Sequence, residues 1–394
     1  MTRRIFLVAA ESSGDALGGD LARAIRARDR GVELAGIGGP LMAEAGLTSR
    51  ADISGLAIVG FVDGLLAYSR VKRAVAESVA AILDAKPDAV VLIDSWGFTL
   101  RVAQGVRAAM PDVKLVKYIG PQVWATRPGR AKTLAASVDH LICIHDFEVP
   151  FYRPFGLPCT VCGHPALGRF KPGDGVALRQ RLGFAAEDQV LLVLPGSRTS
   201  EIRRVGPALW RAAEALQRER PRLRLMVVAA QSVKDAVLAQ APPCAIIVDE
   251  REKEDAFAAA TLALAASGTV TTEVALQGTP LVIGYKLGWI TWAAARAFLF
   301  KSKYATLMNV AADAEVAPEF IQTRFTPGNV AAAAARLLDN NAAREEQVRR
   351  QNAALTQMGR GGRAAAEIAA ETVLSVLQSE HSVSGGVRPS TSSG

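Results

Sequence analysis

The stretch that decides the fold is AASGTVTTEVALQGTP, Ala265–Pro280. It closes an apolar run, Leu262–Ala266, with the length and composition of a buried strand. Ser267-Gly268-Thr269 is a tight turn of small residues. TTEVALQG reads as a short helix, stopped by Gly278 and Pro280. A strand, a small-residue turn and a helix start make a place for an anion, because free backbone N–H groups and the positive end of the helix dipole converge there. Glu273 lies one turn further in, where a carboxylate reaches hydroxyls such as those of a ribose. Taken alone, the stretch is equally the ordinary strand–turn–helix connection of an α/β protein.

The same pattern recurs on both sides of it. Ile5–Ala10 is an apolar run of strand length, followed by Glu11-Ser12-Ser13-Gly14-Asp15 and then by Leu17, Leu21 and Ile25 at helical spacing. Val32–Ile37, Ala89–Ile93, Val113–Ile119 and His140–Ile144 read as further strands. Near residues 154–178 the texture changes: Pro154, Pro158, Pro165 and Pro172 interrupt every period, which predicts a domain boundary. Strands resume at Gln189–Leu194, Leu223–Ala229, Ala245–Val248 and Leu281–Ile283. Strand and helix alternate without a hairpin signal, so we expect α/β architecture: two doubly wound, Rossmann-like domains in tandem with a cleft between them. The expected division is an N-terminal domain over 1–165 and a second over 166–345. C-terminal helices over 346–378 would pack back on the first domain, the chain's own or a partner's. The tail from 379 to 394 lacks apolar residues to pack and is expected to be disordered.

Composition narrows the class. The chain has 394 residues, half of them hydrophobic, enough for two or three domains with sizeable cores. No run reaches the ~18 uninterrupted apolar residues of a membrane span, and MTRRIFLVAA reads as a first strand rather than a signal peptide, so the expected location is cytoplasmic. A formal charge of +8 favours anionic partners. There is neither a Lys/Arg block nor the aromatic–basic alternation of single-strand binders, so nucleic acid is not expected. Cys159 and Cys162 form C-x-x-C with His164 nearby, one ligand short of a closed metal site. No metal and no cofactor are expected.

In open α/β sheets ligands bind at the carboxyl ends of the strands. The polar clusters predicted at those ends are Glu11–Asp15, Asp94–Phe98, Gly120–Trp124, Gly196–Arg198 and Ser267–Glu273. Arg198 after Pro195-Gly196-Ser197 is a candidate partner of a diphosphate leaving group. A surface pair with Glu201 is the plainer assignment. Asp94 ends an apolar strand beside Trp96 and Phe98 and is a candidate base for a hydroxyl; capping the next helix is the alternative. No G-x-G-x-x-G follows the first strand, which counts against a dinucleotide oxidoreductase.

Six motifs together resemble the lipid-A-disaccharide synthase family: AAESSGDALG at Ala9–Gly18, IDSWGF at Ile93–Phe98, GPQVWA at Gly120–Ala125, LPGSRTSEI at Leu194–Ile202, ASGTVTTEVALQGTP at Ala266–Pro280 and LMNVAADAEVAPEFIQ at Leu307–Gln322. The resemblance spans about residues 4–375. It implies an inverting, metal-independent glycosyltransferase of the two-domain GT-B fold. The implied donor is UDP-2,3-diacylglucosamine and the implied acceptor 2,3-diacylglucosamine 1-phosphate, joined in a β-1,6 disaccharide with release of UDP. It further implies that Asp94 is the essential aspartate and Arg198 the motif arginine. Gly196, Ser197, Arg198, Ser267, Gly268, Thr269, Glu273, Asn309 and Gln322 would lie on the donor side. Glu11, Ser13, Asp15 and Trp124 would lie on the acceptor side. The chain departs from the family pattern at Trp96 and Gly97, where D-x-P-D-F is common, and at Thr126, where a second Trp is common. Both departures bear on the acceptor. Acylated substrates imply peripheral association with the inner membrane's cytoplasmic surface, and the apolar run LAIVGFVDGLL at residues 56–66, followed by Arg70, Lys72 and Arg73, is a candidate docking segment. A homodimer is left open. The competing functions are another UDP-sugar-dependent GT-B enzyme, a glycosyltransferase or an epimerase, and a non-catalytic UDP-sugar binder.

Overall fold

The computed structural model describes residues 3–49, 64–124, 127–229, 233–286 and 303–378. The stretch 56–63, Thr126 and the tail from 379 onward, all named above, lie outside the described residues. The chain divides into two units, Met1–Pro165 with Arg363–Gly394, and Ala166–Gly362.

In the first unit β1 (Arg4–Ala9), β2 (Glu33–Ile37), β3 (Ala89–Ile93), β4 (Lys114–Tyr118), β5 (His140–Cys143) and β6 (Cys159–Val161) form one parallel sheet in the order β2-β1-β3-β4-β5-β6. In the second, β7 (Gln189–Leu194), β8 (Leu223–Ala229), β9 (Ile246–Asp249), β10 (Leu262–Ala266), β11 (Leu281–Tyr285) and β12 (Glu319–Ile321) form another, in the order β12-β11-β10-β7-β8-β9. Both sheets are covered on both faces, which is why their central strands read as unbroken apolar runs. AVVLI of β3 and LALAA of β10 are buried at every position. Alternate residues of one strand feed two separate cores: Val90 and Leu92 join one, Val91 and Ile93 the other.

Two strands escaped the sequence pattern, β6 and β12. Each is a three-residue edge strand preceded by a proline. Proline lacks an N–H, but its carbonyl can still enter the ladder at an edge. Pro158 O accepts from Leu141 N at 2.9 Å, and Pro318 O accepts from Ile283 N at 2.9 Å. The short helix Pro40–Glu44 was likewise not expected.

The alanine-rich run after Pro327 is two helices, Pro327–Asp339 and Asn341–Gln357. Asn340 separates them, because its extended backbone (φ −128°) ends one helix and its side chain caps the next, accepting from Ala343 N at 3.0 Å. This corrects the expected return of residues 346–378 to the first domain. Asn341–Gln357 belongs to the second unit. Its Gln347 amide exchanges hydrogen bonds with both backbone groups of Leu281. The helix that does return is Ala365–Gln378, whose Ala369, Ala370 and Val373 are buried in the first unit's core against the helix Ser12–Arg28.

Asp15, expected on the acceptor side, has another task. It is buried, and its carboxylate accepts from the backbone N–H groups of Gly39 (2.8 Å), Leu41 (2.9 Å) and Met42 (3.0 Å). It thereby pins the start of Pro40–Glu44 against the helix Ser12–Arg28. Asp15→Ala strands those three donors. A hydrogen bond to a charged group is worth ~1.5–3 kcal/mol, so thermal unfolding should show a loss of at least that order.

Candidate functional site

Each sheet has one place where the strand order reverses. In the first unit it lies between β1 and β3; in the second, between β7 and β10. At such a point the crossovers leave to opposite faces and a crevice opens at the strand ends. Of the polar clusters expected from sequence, Glu11–Asp15 and Asp94–Phe98 follow the strands that flank the first reversal, Gly196–Arg198 and Ser267–Glu273 follow those that flank the second, and Gly120–Trp124 follows β4, one strand away from the first.

In the first unit, the Ser13 hydroxyl donates to Asp94 Oδ2 at 2.9 Å, and the Ser95 hydroxyl donates to Glu11 Oε1 at 3.3 Å. Glu11 and Ser13 follow β1; Asp94 and Ser95 follow β3. Asp94 is half-buried and sits at φ 49°, with Ser95 at φ 39°, both in the left-handed region that side chains other than glycine seldom adopt. Such backbone persists only where the surroundings hold it. Here Asp94 N donates to Tyr118 O at 2.9 Å. The Thr99 hydroxyl, one turn into the helix Trp96–Ala109, lies 2.9 Å from Asp94 O and 3.0 Å from Ser95 O and donates there. Lys117 of β4 reaches the same spot from below: its Nζ donates to Asp94 O and, at 2.8 Å, to Thr99 Oγ1.

Lys117 is wholly buried, and desolvation is the larger influence on it. It drives the ammonium from the ordinary lysine value of 10.5 down to about 7, against the opposing field of Asp94. The sequence carries a signal for it: a lysine inside the strand run KLVKY of β4, between Val116 and Tyr118. Trp124 lies in the turn that follows β4, with its ring edge-on to Phe147, centroids 5.4 Å apart. Phe147 in turn stacks on His145 at 4.8 Å. Burial and then the neighbouring His164 push His145 down to about 3, so its ring is neutral.

In the second unit, a cavity of about 360 Å³ brings together the turn Gly196–Arg198 after β7 and the turn Ser267–Thr269 after β10, with Glu273, Lys253 and Glu250 on its wall. Gly196 has φ 127°, and a Cβ there would lie 2.8 Å from Cβ of Glu201, so only glycine fits this turn. Glu201 folds back to accept from Ser197 N at 3.2 Å and pairs with Arg198 at 3.7 Å. The pair is loose and the Arg198 side chain is 73% exposed, so the guanidinium is available to a ligand. The helices Thr199–Glu219 and Thr269–Leu276 start at the two turns and direct their free N–H groups to the same end of the sheet.

Lys253 escaped the sequence reading, hidden in the charged run DEREKED. Its Nζ lies 2.8 Å from Glu273 Oε2. Burial opposes the Lys253 charge, but the hydrogen bond to Glu273 and the fields of Glu273, Glu254 and Glu250 outweigh it and hold the ammonium above its ordinary value. One carboxylate oxygen of Glu273 is thus fixed, and the other remains for a ligand.

Asn309 does not join this cavity. It is fully buried, and its amide is spent on the backbone, donating to Ala317 O at 3.0 Å and accepting from Val316 N (2.8 Å) and Ala317 N (3.0 Å). It folds the chain that leads into β12. Gln322, just past β12, is buried at φ 53°. Cys159 and Cys162 each donate their thiol to a nearby carbonyl, of Leu157 and Gly163.

The profile of a family described as lipid-A-disaccharide synthetase matches residues 5–373. A lipid-A-disaccharide synthase of Rhodospirillum centenum is 40% identical over 379 residues, covering 95% of this chain and 94% of that protein. One of Ruegeria pomeroyi is 39% identical over 388 residues, covering 95% of each. Among solved structures, the S. aureus MnaA–UDP complex superposes with a TM-score of 0.65 at 11% identity, covering 97% of each chain. The calicheamicin glycosyltransferase CalG4 gives 0.57 at 18%, covering 96% of this chain and 99% of that one. These structural neighbours establish the GT-B fold.

The buried lysine has a signature in stability. Below about pH 7 Lys117 is protonated in both folded and unfolded chains, and the fold carries the full cost of the buried charge. Above it the folded chain gives up the proton first, the unfolded chain binds more protons, and stability from this group rises with pH until the unfolded lysine also titrates. Relative to Lys117→Met, the wild-type melting temperature should therefore climb between pH 7 and pH 10. A constant difference across that range would remove the buried ammonium from the account.

Proposed function

The chain belongs to the lipid-A-disaccharide synthase family, and on that premise we propose that it transfers 2,3-diacylglucosamine from UDP-2,3-diacylglucosamine to the 6-hydroxyl of 2,3-diacylglucosamine 1-phosphate. The observation that carries the reading is the cavity at the β7/β10 reversal, where an exposed arginine, two helix starts and a fixed carboxylate line one space. Helix N-termini and a guanidinium suit a diphosphate. The free oxygen of Glu273 suits the ribose hydroxyls.

In the proposed step Asp94 takes the proton of the acceptor hydroxyl. The oxygen attacks the anomeric carbon as the bond to the diphosphate oxygen breaks, and UDP leaves with the electron pair and inversion at carbon. Arg198 meets the negative charge that grows on the diphosphate. Ser13 keeps the carboxylate of Asp94 in place, and with the Ser95–Glu11 pair beside it forms a hydroxyl-rich floor for the acceptor sugar, with Trp124 as an apolar wall. Gln322 remains a donor-side candidate. Both proposed substrates carry acyl chains, which supports a peripheral association with the cytoplasmic face of the inner membrane. Among the described residues no helix is long and apolar enough to cross a membrane.

The direct test supplies both acylated glucosamines to the purified protein and scores UDP and disaccharide; UDP released without disaccharide, or a sugar epimer, would sink the reading. Glu273→Ala should weaken UDP binding about 10- to 100-fold, the worth of a hydrogen bond to a charged group, and Lys253→Met should shift it in the same direction. Arg198→Ala should cost more in kcat than in UDP affinity, because the charge it meets grows in the transition state. Calorimetry and steady-state rates on the same preparations separate these effects. Asp94→Asn should still bind UDP and lose about 10²–10⁴-fold in turnover, the usual share of a general base.

A further inference from the structure

Lys117 is a buried charge that the chemistry above leaves without a task. It lies on the apolar face of the first sheet, in register with Leu92 and Leu141 of the flanking strands. Among the described residues no carboxylate is within ion-pair distance of it. An ammonium in such a place is costly to keep, and a methionine would fill the same volume without that cost. What the amino group does there is specific. It donates to the carbonyl oxygen of Asp94 and to the hydroxyl of Thr99, which itself donates to the carbonyls of Asp94 and Ser95.

The Asp94–Ser95 turn is therefore gripped from β4 at both polar groups of Asp94: the N–H by the carbonyl of Tyr118, and the C=O by the side chain of Lys117. The turn is left-handed at both residues, a conformation that reverts to an extended or right-handed one when it is not held. Its handedness decides where the Asp94 side chain leaves the backbone. In the held form the carboxylate leaves toward Ser13 on the neighbouring strand end.

We propose that Lys117 is a positioning residue for the transfer reaction: from beneath the sheet it pins the carbonyl of Asp94 and so holds the left-handed turn that presents the carboxylate to the acceptor hydroxyl. The proposal rests on Asp94 being the base. The lysine does not touch substrate; it acts through the backbone of Asp94, and Thr99 relays the same grip to Ser95.

The experiment compares Lys117→Met, Thr99→Val and Asp94→Asn in the full chain, measuring melting temperature, UDP affinity and kcat at saturating substrates. Lys117→Met removes only the polar head, so its melting temperature at pH 7 should equal or exceed the wild-type value. UDP affinity should be unchanged, since the UDP cavity belongs to the second unit. Its kcat should nevertheless fall about 100-fold, the loss that a displacement of ~1 Å brings to a reacting group. Thr99→Val should lower kcat in the same direction by less. A stable Lys117→Met with wild-type kcat beside an inactive Asp94→Asn overturns the role of Lys117 and leaves Asp94 as the base. Wild-type turnover in Asp94→Asn overturns both. A loss of kcat that merely tracks the unfolded fraction makes Lys117 structural and overturns the proposal as well. Should Lys117→Met fail to fold, a wild-type kcat in Thr99→Val overturns it.

Discussion

Parallel strands cannot be joined by a tight turn. Each must be followed by a crossover that carries the chain back to the far end of the sheet. Crossovers of one hand stack strands in one direction, so a sheet that grows both ways must reverse its order once. At the reversal, neighbouring strands send their chains to opposite faces, and nothing fills the gap between them. In this protein β1 and β3 flank one gap and β7 and β10 the other. Strand interiors are closed to polar chemistry, because both faces are covered and every position of β3 and β10 is buried. The residues just past the strand ends are where side chains can be polar and still be held by a rigid sheet.

Holding them there costs stability, and the two units do it differently. In the second unit the sharp turn is made by Gly196, whose positive φ carries no penalty. In the first, the chain turns on Asp94 and Ser95, where each left-handed residue costs roughly 1–2 kcal/mol. A glycine at 94 would relax the turn and remove the carboxylate with it. On the proposed role of Asp94, the strain is the consequence of needing a reactive side chain at the very position where the backbone must bend. The buried Lys117 and Thr99 beneath the turn are the counterpart of that strain: they supply the hydrogen bonds that keep it from relaxing. A second cost appears beside it, since an ammonium in an apolar core opposes folding below about pH 7. Stability surrendered near a reacting group while the rest of the core is packed with Val, Leu and Ile is the pattern expected of a site selected for geometry.

Much of this was legible in the chain itself. Continuous apolar runs such as AVVLI and QVLLVL mark doubly covered strands, and the polar residues after them mark the strand ends; which of those ends flank a reversal depends on strand order, which the runs do not carry. What escaped has a common cause. β6 and β12 are three residues long, too short for a period, and their leading prolines read as breakers although a proline carbonyl still bonds at an edge. Asp15 and Asn309 looked like ligand contacts because they are polar residues inside motifs. Their actual partners are backbone groups, N–H groups 24 to 27 residues away for Asp15 and both N–H and C=O groups for Asn309, which no local pattern reveals. Lys253 was masked by the charges around it, although its pairing with Glu273 joins two elements 20 residues apart. Burial and pairing are tertiary facts, and a residue's type tells only that it can do several things.

The chemistry of the two crevices is complementary in kind. The first is built from hydroxyls and carboxylates, Ser13, Ser95, Glu11 and Asp94, and can accept a proton and orient a sugar. The second gathers the loosely paired, exposed Arg198 and two helix starts beside the Lys253–Glu273 pair, and can receive negative charge at the guanidinium and the free N–H groups. A transfer between two sugars needs both properties, because the acceptor must lose a proton while the leaving diphosphate gains charge. Neither property is dictated by the fold. A UDP-GlcNAc 2-epimerase and the glycosyltransferase CalG4 share this architecture at 10% and 18% identity, so the backbone specifies where a site can be and leaves the reaction to a few side chains. Here the acidic pair belongs to the unit whose turn is strained and the basic set to the unit whose turn is glycine. A base must be aimed at one hydroxyl within a few tenths of an ångström, whereas a diphosphate is attracted by charge and N–H dipoles over a broader range of positions. With Asp94 proposed as that base, the unit that must aim is the one that carries the strain.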